Sequence, residues 1–225
     1  MKASERGGLF GRPVSVGVPQ RYTDGTAVII ATGPSLTREQ VDKFAPLKRR
    51  NRIVVIGVND AYRICPWLDY LYAADFNWIA HHDAQVPKRL RGGFLFTTRD
   101  ERTNQFASWR QVESKAAQGL SLDRNLLHRG NNSGYQAINL AYLLGIRRIL
   151  LLGYDHHSGG HHFFGKHPTP AMDIESNYSN WVPGYRTIRD QDIDLTIVNC
   201  TPGSAIDAFP KLDIDAAIDC LELKT

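Results

Sequence analysis

The sequence predicts an α/β chain with a Rossmann-like, open, mostly parallel sheet and helices on both faces of a single domain. Three observations carry that expectation. Short β-rich apolar runs such as Ala27–Ala31, Ile53–Val58 and Ile149–Leu152 each break into polar or glycine-containing turns, as strands buried on both faces do. The stretch Gly130–Asp155 reads as a polar turn, a helix and a buried strand in immediate succession. Two Gly/Pro/Ser corners, Thr32-Gly33-Pro34-Ser35 and Thr201-Pro202-Gly203-Ser204, follow strands and are expected on one edge of the sheet.

The first 25 residues, with five Gly, two Pro and little periodicity, are expected to form an extended or flexible leader before a domain spanning 26–225. Ala27–Ala31 is the first strand. Thr37-Arg38-Glu39-Gln40 then has the Thr-x-x-Gln form of a capping box, so a helix starts there. Between them, Gly33 permits unusual backbone geometry, Pro34 fixes its own φ, and Ser35 offers a hydroxyl and an amide, which suits a phosphate as well as an ordinary strand–helix connection.

Ile53–Val58 delivers Asn59, which can read a base edge or ribose hydroxyl or cap the next helix. Tyr70–Ala74 delivers Asp75, and a short helix follows over Asn77–His82. The adjacent His81 and His82 cannot face one way on a helix, so surface and dipole-complementing roles are expected for them rather than metal binding. Phe94–Thr98 is a short aromatic strand, and the polar mixture after it predicts a helix around Phe106–Ala117.

In the focal unit, Asn132 or Ser133 can cap a helix whose first-turn amides remain free for an anion, with Ser133 and Gly134 foremost. Apolar Ile138, Ala141, Tyr142 and Gly145 repeat at helical spacing, and Ile149–Leu152 ends in Gly153-Tyr154-Asp155. The loop from Asp155 to Pro168 gathers five of the eight histidines, among them His157, His161, His162 and His167. Phosphate or substrate contacts are favoured there over a metal site, because none of the spacings is a metal motif. Glu175–Trp181 reads as a short helix or turn, Asp194–Cys200 as the last parallel strand, and Asp213-Ile214-Asp215 as the cap of a terminal helix.

Composition excludes several classes. A net charge of +4 with basic clusters at Lys48–Arg52 and Lys88–Arg91 suits a solvated surface or a phosphorylated ligand, and nucleic acid is the minority reading because no aromatics interleave the clusters. Cys65, Cys200 and Cys220 are read as core thiols. No apolar run reaches membrane-span length and the start has no signal-like segment, so a cytoplasmic location is expected.

The strand with Thr32-Gly33-Pro34-Ser35-Leu36, the strand ending at Asn59, the Asn132-Ser133-Gly134 helix leading to Gly153-Tyr154-Asp155, and the Cys200-x-Pro202-x-Ser204 turn together resemble a known superfamily. It comprises the bacterial sialyltransferases of glycosyltransferase family 42 and the MptE-like 6-hydroxymethylpterin diphosphokinases. The likeness spans residues 27 to 206 and its identities lie in turns. It implies a nucleotide pocket formed by Thr32, Gly33, Ser35, Asn59, Asp75, Ser133, Gly134 and Gly153, to which the local reading adds Pro34 and Asn132. It also implies that His157 and Phe163 stand where the sialyltransferases steady the leaving phosphate with tyrosines, and that Tyr185, after Gly184, stands where they have the catalytic His.

Three functions are weighed. The first is a nucleotide-dependent transferase, a glycosyltransferase with a nucleotide-sugar donor and a small-molecule or glycan acceptor, in which Asp155, His157, His161, His162 and Tyr185 are the catalytic candidates. The second is a diphosphokinase with Mg²⁺ held by Asp75 and Asp155. The third is a non-catalytic nucleotide-binding accessory protein. A second copy of the chain is a further candidate partner.

Overall fold

The computed structural model describes residues 16–90, 93–157, 163–165 and 178–222. Eight strands form one parallel sheet: β1 (Gly25–Ile30), β2 (Val54–Val58), β3 (Tyr70–Tyr72), β4 (Phe94–Thr98), β5 (Trp109–Lys115), β6 (Leu126–His128), β7 (Ile146–Leu152) and β8 (Thr196–Asn199). Their spatial order is β6-β5-β4-β3-β2-β1-β7-β8. The chain therefore steps outward from β1 to β6, then returns to place β7 against the other side of β1. That reversal is a switch point, where a crevice opens outside the carboxyl ends of the strands.

Alternation along the central strands sends side chains to two separate cores. On one face Ala27, Ile29, Val54, Ile56, Ile149 and Leu151 meet α5 (Ser133–Leu144) and residues of α6 (Tyr178–Arg189). On the other, Val28, Ile30, Val55, Leu150 and Leu152 meet α1 (Arg38–Asp42), α2 (Ala45–Arg49), α3 (Phe76–His82), α4 (Val86–Arg89) and α7 (Ile214–Glu222). With both faces covered, a strand such as β2 is buried at all five positions, hence its unbroken apolar reading.

Local signals act as expected at several ends. Thr37 closes the capping box of α1 with Gln40, Asn132 caps α5 through Tyr135 N–H at 2.8 Å, and Asp213 accepts from Ala216 N–H at 2.9 Å before α7. Gly145 ends α5 at φ 99°, where a Cβ would lie 1.9 Å from Tyr22 O, so conformation and space both require glycine. Residues 16–22 run extended along the domain, with Val16 N–H on Gln111 O, Val18 N–H on Arg124 O, and Arg21 and Tyr22 N–H on Leu144 O.

Three expectations are corrected. The predicted helix around Phe106–Ala117 is instead β5, paired in parallel with β4 from Leu95↔Trp109 to Thr98↔Val112. Burial along this outer strand falls only on Trp109, Gln111 and Val112, so the polar and apolar residues show no clean period of two. His82 is a core residue, 4% exposed, stacked on Trp78 at 4.3 Å and bonded through Nδ1 to Tyr62 OH at 2.9 Å. Cys65 and Cys200 are buried as expected, whereas Cys220 is exposed on α7. No helix among the described residues is long and apolar enough to cross a membrane.

Candidate active site

At the switch point lies a cavity of about 470 Å³. Thr32, Gly33 and Pro34 after β1, Asn59 after β2, Asp75 after β3, Asn132, Ser133 and Gly134 at the start of α5, and Gly153 and Asp155 after β7 all line it. The corner after β1 and the turn opening α5 thus border one crevice, whereas the corner Thr201–Ser204 does not line it.

Backbone and side-chain contacts join the corner after β1 to the end of β7. Gly33 N–H donates to Gly153 O at 2.9 Å and Ala31 N–H to Leu152 O at 2.8 Å. Asp155, 2% exposed, reaches across with Oδ1 to accept Ser35 N–H at 3.0 Å. The carboxylate fits only because Gly33 lacks a side chain: a Cβ there would stand 1.8 Å from Asp155 Oδ2. Ser35 therefore anchors the corner through its amide and lies outside the cavity lining. Across the crevice, Asn132 Oδ1 takes Tyr135 N–H and Asn132 O takes Gln136 N–H, which leaves the amides of Ser133 and Gly134 without intrahelical acceptors. Those amides, at the positive end of the α5 dipole, are donors for an anion.

Among the described residues, three of the five non-glycine positions with positive φ line this cavity: Asn59 at 48°, Asn131 at 59° and His156 at 53°. Such conformations concentrate where the surroundings hold side chains in a set direction. Two buried acceptors among the lining residues, Asn59 Oδ1 and Asp155 Oδ2, have no hydrogen-bond donor.

The histidine that lines the cavity is His156. Its ring lies against Tyr154 (5.9 Å, 10°), Tyr185 (5.2 Å, 89°) and Trp181 (6.1 Å, 67°). Burial among these rings lowers its pKa to about 4, so it is neutral at pH 7. His157 is exposed, with Nε2 3.8 Å from Asp155 Oδ1. Sequence alone gives no means of choosing between the two, since the choice follows from the left-handed turn at His156. His161, His162 and His167 fall outside the described residues; among those described, no three His, Cys, Asp or Glu side chains converge as metal ligands.

Tyr185 is fully buried behind the lining. Its hydroxyl donates to Asn132 Oδ1 at 3.0 Å and lies 3.0 Å from His156 Nε2, and burial pushes its pKa well above the ordinary tyrosine value. Asp75 Oδ1 caps α3 by accepting Trp78 N–H at 2.8 Å. Further lining comes from a region in which the sequence reading named no site residue: Arg99, Asp100, Arg102, Thr103, Ser114 and Arg129. Arg99 pairs with Glu113 at 2.8 Å, Arg102 with Asp100 at 3.1 Å, and Arg129 bonds Ser114 Oγ at 3.1 Å. These residues sit at or beyond the carboxyl ends of β4, β5 and β6, so recognising β5 as a strand is the signal that locates them.

No protein-family model matches the sequence, and no curated protein matches it. Solved structures do. The MAf glycosyltransferase from Magnetospirillum magneticum AMB-1 superposes with a TM-score of 0.63 at 15% identity, over 95% of this chain and 39% of that one. This chain therefore spans about two fifths of the MAf structure. The sialyltransferase CstII from Campylobacter jejuni, solved with the substrate analogue cytidine-5'-monophosphate, superposes with a TM-score of 0.55 at 11% identity, over 85% of this chain and 86% of that one. At these identities the likeness is one of architecture: the chain has the Rossmann-like α/β fold that these two glycosyltransferases share.

Proposed function

We propose that this chain is a nucleotide-dependent glycosyltransferase that uses a nucleotide-sugar donor. The observation that carries the reading is the combination, in one cavity, of unsatisfied main-chain donors and unsatisfied buried acceptors. The Ser133 and Gly134 amides match a phosphate. Asn59 Oδ1 and Asp155 Oδ2 each call for a hydroxyl or amino hydrogen from the ligand, since a buried acceptor left without a donor costs about 1–3 kcal/mol. A nucleotide sugar carries both kinds of group. The cytidine nucleotide in the CstII structure is in keeping with this.

Transfer needs one proton moved and one charge stabilised. The acceptor hydroxyl attacks the anomeric carbon, the bond from that carbon to the phosphate oxygen breaks, and the nucleotide leaves with the electron pair. The α5 amides and dipole lie where that charge would develop. His157, exposed at the end of β7 with Nε2 3.8 Å from Asp155 Oδ1, is the base that takes the acceptor's proton. The segment with His161 and His162 supplies the groups that hold the leaving phosphate. A diphosphokinase would ask Asp75 and Asp155 to share Mg²⁺; each already gives one oxygen to a backbone amide, and no observation favours that reading.

The test is thermal unfolding with cytidine, uridine, adenosine and guanosine nucleotides and their sugar conjugates. A ligand at a hundred times its Kd adds about 2.7 kcal/mol, or roughly 5–10 °C for a chain of this size. A flat response to all of them at millimolar concentration overturns the proposal.

A further inference from the structure

Tyr185 stands one layer behind the proposed phosphate site and touches two of its residues. Asn132, the cap of α5, has every side-chain polar atom engaged: Oδ1 accepts Tyr135 N–H at 2.8 Å and Tyr185 O–H at 3.0 Å, and Nδ2 donates to Gly130 O at 3.1 Å. The phenol has one proton. With that proton on Asn132, the Tyr185 oxygen accepts from His156 Nε2, 3.0 Å away, in the tautomer that carries the single proton of the neutral imidazole on that nitrogen. Gly130 and Asn131, immediately before the cap, are both left-handed (φ 49° and 59°), so the turn into α5 is held by side-chain bonds rather than by a relaxed backbone.

From this arrangement we propose that Tyr185 is a positioning residue for the phosphate site. With His156 it fixes the Asn132 cap, so that the Ser133 and Gly134 amides stay directed into the cavity. The role is distinct from that of a base: Tyr185 is 0% exposed, is absent from the cavity lining, and has no path to an acceptor hydroxyl except through Asn132 or His156. A second buried polar group aims at the same space, the 2%-exposed Asp155 with its unpartnered Oδ2, which marks the crevice as built for a ligand. The inference rests on the nucleotide reading and adds an element that the reading does not need.

The experiment compares Tyr185→Phe, His156→Phe and His156→Gln with the wild type. The probes are the nucleoside 5'-monophosphate that gives the largest thermal shift and its parent nucleoside, each titrated by calorimetry. Tyr185→Phe and His156→Phe are expected to weaken the monophosphate about tenfold, equivalent to about 1.4 kcal/mol. They should leave the nucleoside within twofold of wild type. His156→Gln, whose amide N–H can replace the ring Nε2–H, is expected to recover most of the loss. Equal weakening of both probes, or none, overturns the positioning role while the nucleotide reading stands. Wild-type protein that binds no nucleotide removes the reading and this role together. Loss, in Tyr185→Phe, of the limb on which the rate rises with pH would make the tyrosine a base and also refute the proposal.

Discussion

Substituting Gly33→Ala tests how the corner after β1 is joined to the end of β7. The added methyl would lie 1.8 Å from Asp155 Oδ2 and 2.5 Å from Gly153 O, distances that no rotamer change at position 33 relieves. Either the Asp155 carboxylate or the turn after β1 must move. Moving the carboxylate strains the 3.0 Å bond from Ser35 N–H, and moving the turn strains the 2.9 Å bond from Gly33 N–H to Gly153 O. Overpacking costs about 1–3 kcal/mol and the loss of a hydrogen bond to a charged group about 1.5–3 kcal/mol, so the sum is about 2.5–6 kcal/mol. That is a large share of the roughly 5–15 kcal/mol typical of a folded domain. Urea unfolding of Gly33→Ala, Asp155→Ala and the double variant measures it. Because Asp155→Ala removes the colliding oxygen, the double variant should be more stable than the sum of the single losses predicts, with a coupling of about 1–3 kcal/mol. A Gly33→Ala protein within about 0.5 kcal/mol of wild type, the usual range for an inconsequential surface change, would refute the reasoning.

Two further outcomes follow from buried groups. Above pH 6.5 the His156 imidazole is neutral in both folded and unfolded chains; between pH 6.5 and about 4 the unfolded chain binds a proton that the folded chain does not. Stability therefore falls as pH falls through that window, by up to about 3 kcal/mol. The difference in unfolding free energy between wild type and His156→Gln should shift in the variant's favour on acidification, and a pH-independent difference would contradict this. Asp60, 6% exposed, accepts the Trp78 indole N–H at 2.9 Å, so Asp60→Ala leaves that donor buried and alone and should cost about 2–4 kcal/mol in the same assay. A loss below about 1 kcal/mol would show that the tryptophan finds another partner.

How much was legible in the sequence depended on burial. The strands β1, β2 and β7 and the helix α5 announce themselves because both faces of the central sheet are covered, which demands unbroken apolar runs and a strongly capped helix. Toward the outer edge that demand relaxes. In β5 only Trp109, Gln111 and Val112 are buried, and a buried glutamine hides the period of two; β6 has three residues, too few to show a period. The corners at Gly33, Ser133 and Gly153 were readable as turns with spare amides, and chain order alone placed them at strand ends. The choice of His156 over His157 for the cavity wall was not readable, because it is made by a positive φ at a non-glycine residue. The burial of His82 depends on Asp60, Tyr62 and Trp78 being brought together from β2's end and α3, a tertiary fact with no local signature.

The claim beneath the rest is that the free amides opening α5 receive a phosphate in the crevice they share with the corner after β1. Amide chemical shifts of ¹⁵N-labelled protein, followed during titration with a nucleoside 5'-monophosphate and with its nucleoside, test it directly. The Ser133 and Gly134 resonances should move together and saturate at one concentration with the monophosphate, and stay nearly still with the nucleoside. Saturating binding of the monophosphate that leaves both unmoved would contradict the account.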